Sequence, residues 1–157
     1  MLSYHNDTLF LINFSNHMSL VLEFLNEHAL SIDFAMFILI GLVQVIVYPV
    51  FREIPEGRFA VWHPRYCNQI GWFVLPLMFA QLIGSLSACF FIGEVLSWTH
   101  LFFVGGAWLV TFFVSAPCHR RLMKQGKIDS VVERLIRTNY CRVLAWSGTL
   151  VCSWIQY

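Results

Sequence analysis

Four stretches of this sequence are apolar for the length of a bilayer crossing, and that narrows the fold more than anything else in the chain. Ser31 to Val50, SIDFAMFILIGLVQVIVYPV, is the first. Twenty residues at ~1.5 Å rise give about 30 Å, the thickness of the hydrocarbon core. Ile70 to Ile92, Trp98 to Ala116 and Asn139 to Ile155 are the others. Hydrocarbon offers backbone polar groups no water, so spans of this kind close their hydrogen bonds as helices. Overall, 58% of the residues are hydrophobic and only 12% charged, against about 45–50% and about 25% in soluble domains. The expected fold is all-α: an integral membrane four-helix bundle with spans at about 31–50, 70–92, 98–116 and 139–155. It forms a transmembrane domain over 31–157, preceded by an N-terminal segment, 1–30.

That segment has apolar residues at Phe10, Phe14, Met18, Val21, Leu22 and Leu25, with Asn13, Asn16, His17, Glu23, Asn26 and Glu27 mostly opposite. The spacing predicts an amphipathic helix lying in the interface, with a fifth span as the alternative. MLSYHNDTLF carries no positive charge and no cleavage signal, unlike a secretory leader.

The charges orient the chain. All ten Lys and Arg follow the first or the third span, and seven of them lie between Val114 and Arg142. None precedes Arg52, and none lies in the 93–97 turn. By the positive-inside rule, loops 51–69 and 117–138 are cytoplasmic and both termini are outside. The prolines and glycine of FREIPEGRFAVWHPRYCNQ predict a polar loop rather than one long helix. After Pro117 the helix should continue for two turns and break at Gly126. Ser130-x-x-Glu133 then reads as a capping box, and Glu133 with Arg137 as an i,i+4 pair. Gly105-Gly106 should let helices approach closely.

Polar residues recur at helical spacing near the inner ends of the spans. They are Gln44 and Tyr48; Trp108, Ser115 and His119; and Asn139, Arg142 and Trp146. Lipid cannot satisfy such stripes, so they should converge, together with His63 and Trp72, on a polar pocket facing the cytoplasm. His63, His119, Arg142 and Asn139 are the candidate catalytic residues. Gln44, Tyr48, Trp72, Trp108, Ser115 and Trp146 are candidates for binding substrate. The bland alternative is interhelical hydrogen bonding and snorkelling arginines.

The two histidines could instead be axial ligands of a b-type haem, or could bind a transition metal with Glu53, Cys67 or Cys118. The spacings match no zinc motif, and neither histidine reads as mid-helix, so no cofactor is expected. His5, His17, His28 and His100 read as interfacial, and Asp33 and Glu94 as lying at outer ends. Without a central carboxylate a proton-coupled exporter is disfavoured. No Ser/His/Asp motif, P-loop or dinucleotide fingerprint occurs. No basic stretch tracks nucleic acid, and five irregularly spaced cysteines give no disulfide framework.

At YPVFREIPEGRF, WHPRYCNQIGW, SAPCHRRL and VVERLIRTNYCRVLAWS the chain resembles small bacterial four-helix membrane proteins of unassigned function. More distantly, it is similar to the anthrone-oxygenase-like membrane family. The resemblance covers roughly residues 33–155; the first thirty do not align. It implies a pocket formed by His63, His119, Asn139 and Arg142, and oxidation of flat polyketide anthrones without a classical cofactor.

The function expected is thus a membrane enzyme, oxidoreductase-like, or a binding protein for a flat hydrophobic molecule entering from the bilayer. The alternatives are an accessory subunit of a larger membrane complex, a homo-oligomer, or a haem or metal protein.

Overall fold

A computed structural model describes residues 16–156 as five helices, with no strand among them. They are α1 (16–27), α2 (Ala29–Glu53), α3 (Glu56–Phe91), α4 (Val95–Gln125) and α5 (Asp129–Gln156). The part of the amphipathic helix expected over 9–15 lies outside the described residues. Three helices, α2, α3 and α4, are long and apolar enough to cross a membrane. α5 packs along α2 and α4, and α3 packs against both of them.

Large apolar side chains point outward along the bundle, among them Val45, Phe73, Phe90, Phe102, Leu144 and Trp154. A soluble monomer rarely exposes so continuous an apolar surface, whereas a lipid-facing bundle must. The interior is divided. Met36, Ile40, Phe51, Phe59, Met78 and Leu135 form an apolar core. Buried polar side chains lie in two groups, one toward each end.

The breaks are short. Ile54 is extended and Pro55 precedes the first turn of α3, a position where a missing N–H costs nothing. Gly93 and Gly126, at φ +70° and +78°, end α3 and α4, in a backbone region that glycine enters freely.

The expected loop 51–69 is therefore almost entirely helical. Pro64 and Pro76 both lie inside the 36-residue α3, and His63 is a helix residue. Proline favours a break, but in this long helix tertiary packing tolerates the lost bond. The second basic segment does break at Gly126 and resume at Asp129. Its Glu133, however, pairs with Arg52 across the bundle.

Two further prolines explain a local irregularity. Val43–Val47 and Thr111–Ser115 are widened to π-helical turns, each just ahead of Pro49 or Pro117. Proline cannot bond to the carbonyl four residues back and clashes with it, and a wider turn absorbs both defects. The close helix approach is not at Gly105-Gly106, whose surroundings are open. It is at Gly148, where an added Cβ would lie 2.7 Å from the Phe103 ring.

Candidate metal centre and a second buried polar cluster

The π-helical turn of α2 ends at Tyr48, and that of α4 is followed one turn later by His119. The two side chains meet, with Tyr48 Oη 3.2 Å from His119 Nε2. The other nitrogen of the same ring, Nδ1, is 3.0 Å from His63 Nε2. His63 is wholly buried. It stacks on Phe59, and its ring lies nearly in plane and end to end with that of His119.

One turn along α3, Cys67 completes the group. Its Sγ is 3.6 Å from His63 Nε2 and 3.6 Å from His119 Nδ1. The three potential ligand atoms all lie within 4.8 Å of one another, with the two histidine nitrogens facing each other. Neither Glu53 nor Cys118 joins them.

Arg142 anchors this cluster from α5. Its Nη1 donates to Tyr48 Oη at 3.3 Å and to Ser115 Oγ at 3.0 Å. Its guanidinium lies over the Trp146 ring, 5.3 Å from the centroid, a cation–π contact. Asn139 donates to Gln44 Oε1 at 2.8 Å, and Gln44 in turn donates to the Ile136 carbonyl at 3.4 Å. Asn139 Oδ1 and Arg142 Nε remain buried without a partner.

Six of the ten residues singled out from the sequence, His63, His119, Tyr48, Arg142, Ser115 and Trp146, therefore belong to one connected group, and Gln44 and Asn139 form a separate buried pair. Trp108 lies apart, against Phe79 and Phe112. Trp72 is 75% exposed and faces outward. It lines a shallow, mostly apolar groove of about 440 Å³ with Cys67, Gly71, Leu75, Pro76 and Phe79. Cys67 is where this groove meets the histidine pair.

The ion pair at this end is Arg52 with Glu133. Two parallel hydrogen bonds of 2.6 and 2.8 Å hold it, and the hydrogen-bonded guanidinium keeps the Glu133 carboxyl below its ordinary range. Lys127 donates to the carbonyls of Arg52 and Ile54, tying the α4–α5 connection to the α2–α3 break.

The second cluster was not foreseen. Asp33, 1% exposed, accepts from Gln81 Nε2 at 2.6 Å, His100 Nε2 at 2.8 Å and Ser153 Oγ at 2.5 Å. His100 Nδ1 is 2.8 Å from Ser85 Oγ. His100 is thus buried rather than interfacial, and Asp33, near the start of α2, is a carboxylate buried inside that end of the bundle. Gln81 Oε1 accepts from Trp146 Nε1 at 3.0 Å, so one amide touches Asp33 with its nitrogen and Trp146 with its oxygen. The sequence signal was the polar pair Gln81 and Ser85, one turn apart inside an apolar span. Beside this cluster lies a cavity of about 440 Å³, lined by residues of all five helices, Asp33 of α2 and Ser153 of α5 among them.

No family model, no curated protein and no solved structure matches the chain.

Proposed function

We propose that this is an integral membrane protein of four spanning helices, holding a transition metal between His63, Cys67 and His119. The metal's open position faces a flat hydrophobic molecule in the groove beside Cys67. In this reading α5 contributes the fourth span, at about 139–155. The end with all ten Lys and Arg faces the cytoplasm of a bacterial cell.

One observation carries the metal: the mutual spacing of the three ligand atoms. With metal–nitrogen bonds of about 2.05 Å and a metal–sulfur bond of about 2.3 Å, tetrahedral angles put sulfur roughly 3.5 Å from each nitrogen and the nitrogens roughly 3.3 Å apart. The sulfur lies 3.6 Å from both nitrogens, and the nitrogens are 3.0 Å apart. Opening the histidine pair by a few tenths of an ångström, and turning the two nitrogens from each other toward a shared metal position, completes the face of a tetrahedron. The same spacing disfavours a haem. Axial imidazoles on opposite faces need about 4 Å between nitrogens, two metal–nitrogen bonds, with the macrocycle between them.

A thiolate with two imidazoles is a donor set for zinc or copper. Three protein ligands and a fourth open position are the arrangement of a reactive rather than a purely structural site. The chain's own residues have definite tasks here. Binding needs bare Nε2 on His63 and bare Nδ1 on His119, so the proton of His119 resides on Nε2 and is donated to Tyr48 Oη. Tyr48 is held in turn by Arg142, which fixes the ring as partners of ligating histidines do elsewhere. The groove of Gly71, Trp72, Leu75 and Phe79 offers an apolar wall to a flat molecule arriving through lipid.

The test is metal titration of the detergent-purified full chain, with zinc(II) and copper(I) in separate arms against a chromophoric chelator. One equivalent should bind to the wild type in at least one arm, and be lost in His63→Ala, His119→Ala and Cys67→Ser. Binding that survives Cys67→Ser, or no binding by a protein with intact helical circular dichroism, refutes the metal centre.

A further inference from the structure

The polar cluster at the end without Lys or Arg has a chemistry of its own, independent of the metal reading. Its proton bookkeeping is fixed by the hydrogen bonds. Asp33 meets three donors, as an ionised carboxylate, which only accepts, would. His100 therefore presents its Nε2–H to Asp33 and leaves Nδ1 bare. That lone pair is 2.8 Å from Ser85 Oγ. Ser85 has one hydroxyl proton and two acceptors, His100 Nδ1 and the Gln81 carbonyl at 2.6 Å. Rotation about one side-chain bond moves the proton between them. A hydroxyl, a base within reach and a carboxylate orienting the base are the parts of an activated serine nucleophile, and this set is defined by geometry, not by chain order.

The three side chains also border a cavity. Asp33, Ser85 and His100 all line the volume of about 440 Å³, whose remaining walls include Leu25, Ile32, Ala88 and Ile92. This is room for a mostly apolar ligand with one reactive group near the serine. The cavity also has polar edges. The Ser97 hydroxyl and the Gln156 amide line it. Ser85 lies in mid-helix, where backbone N–H groups are already used, so side chains of this kind are the donors on hand for a developing oxyanion.

We propose that Ser85, His100 and Asp33 form an acyl-transfer site for carboxylic esters with an apolar chain. Ser85 Oγ bonds to the carbonyl carbon while its proton passes to His100 Nδ1. The ester C–O bond then breaks, and the alcohol leaves with that proton. Water, deprotonated by the same nitrogen, attacks the acyl-serine. The products are the free acid and the restored hydroxyl. Asp33 holds the imidazole in the required tautomer throughout.

The experiment is labelling of the detergent-purified full chain with a long-chain alkyl fluorophosphonate, which forms a serine–phosphorus bond with loss of fluoride, followed by peptide mass spectrometry. One adduct per chain at Ser85 is expected. It should be absent in Ser85→Ala and unchanged in Ser87→Ala, whose hydroxyl faces Asn26 instead. It should form about 100-fold or more slowly in His100→Gln, the usual contribution of a general base. The wild type decides the matter even where a variant folds poorly. No adduct at Ser85 in protein of intact helical content overturns the proposal. So does an adduct that forms equally fast in folded His100→Gln, which would mark a merely accessible hydroxyl.

Discussion

Gly148→Ala should destabilise the bundle, and the same substitution should stabilise it once Phe103 is gone. Gly148 lies on α5 where the ring of Phe103 from α4 crosses it. A Cβ built there falls 2.7 Å from three ring atoms. One of these is Cγ, so the ring cannot clear the methyl by a swing of its tip. Forcing an extra methyl into a packed seam costs about 1–3 kcal/mol, while replacing glycine in a helix interior returns about 0.5–1 kcal/mol. The net expectation is a loss of roughly 0.5–2 kcal/mol. In a Phe103→Ala background the steric part vanishes, and a gain of about 0.5–1 kcal/mol remains. The double-mutant cycle is read from reversible unfolding in mixed detergent micelles, followed by tryptophan fluorescence and far-ultraviolet circular dichroism. An equal loss in both backgrounds would refute the seam, since the interaction term would then be zero.

Tyr48→Phe keeps the ring but removes the hydroxyl shared by His119 and Arg142; in the metal titration it should weaken binding by about 10–100-fold without changing stoichiometry. Asp33→Asn places an amide among three donors, and its unfolding free energy in micelles should fall by about 1–3 kcal/mol. Glu133→Gln tests the exposed pair with Arg52. The folded carboxyl titrates lower than the unfolded one, so the pair stabilises above the unfolded pKa and this is lost as pH falls through the folded one. Wild type and variant should differ slightly at neutral pH and converge in acid or at high salt.

Hydropathy made the helices legible because the bilayer demands length and apolarity from every crossing. The polar stripes were legible for the same reason: Gln44, Tyr48, Ser115, Asn139 and Arg142 could not face lipid. What failed was the reading of residues 51–69. Pro64 beside His63 suggested a loop, and so the i,i+4 pairing of His63 with Cys67 on one helical face went unseen. The Asp33–His100 contact joins residues 67 apart in sequence. Nothing local marks two polar side chains near different helix ends as partners. Only the packed bundle brings α2, α3, α4 and α5 to one point.

Gln81 joins the two ends in a particular sense. Trp146 Nε1 donates to its oxygen, and its nitrogen donates onward to Asp33, so both bonds point the same way and their dipoles converge on the carboxylate. Yet an indole N–H only donates, and an amide does not relay a proton by giving one up and taking another. The connection between the ends therefore conducts polarisation and insulates against hydrogen ions. A charge gained at Arg142's end can be felt at Asp33.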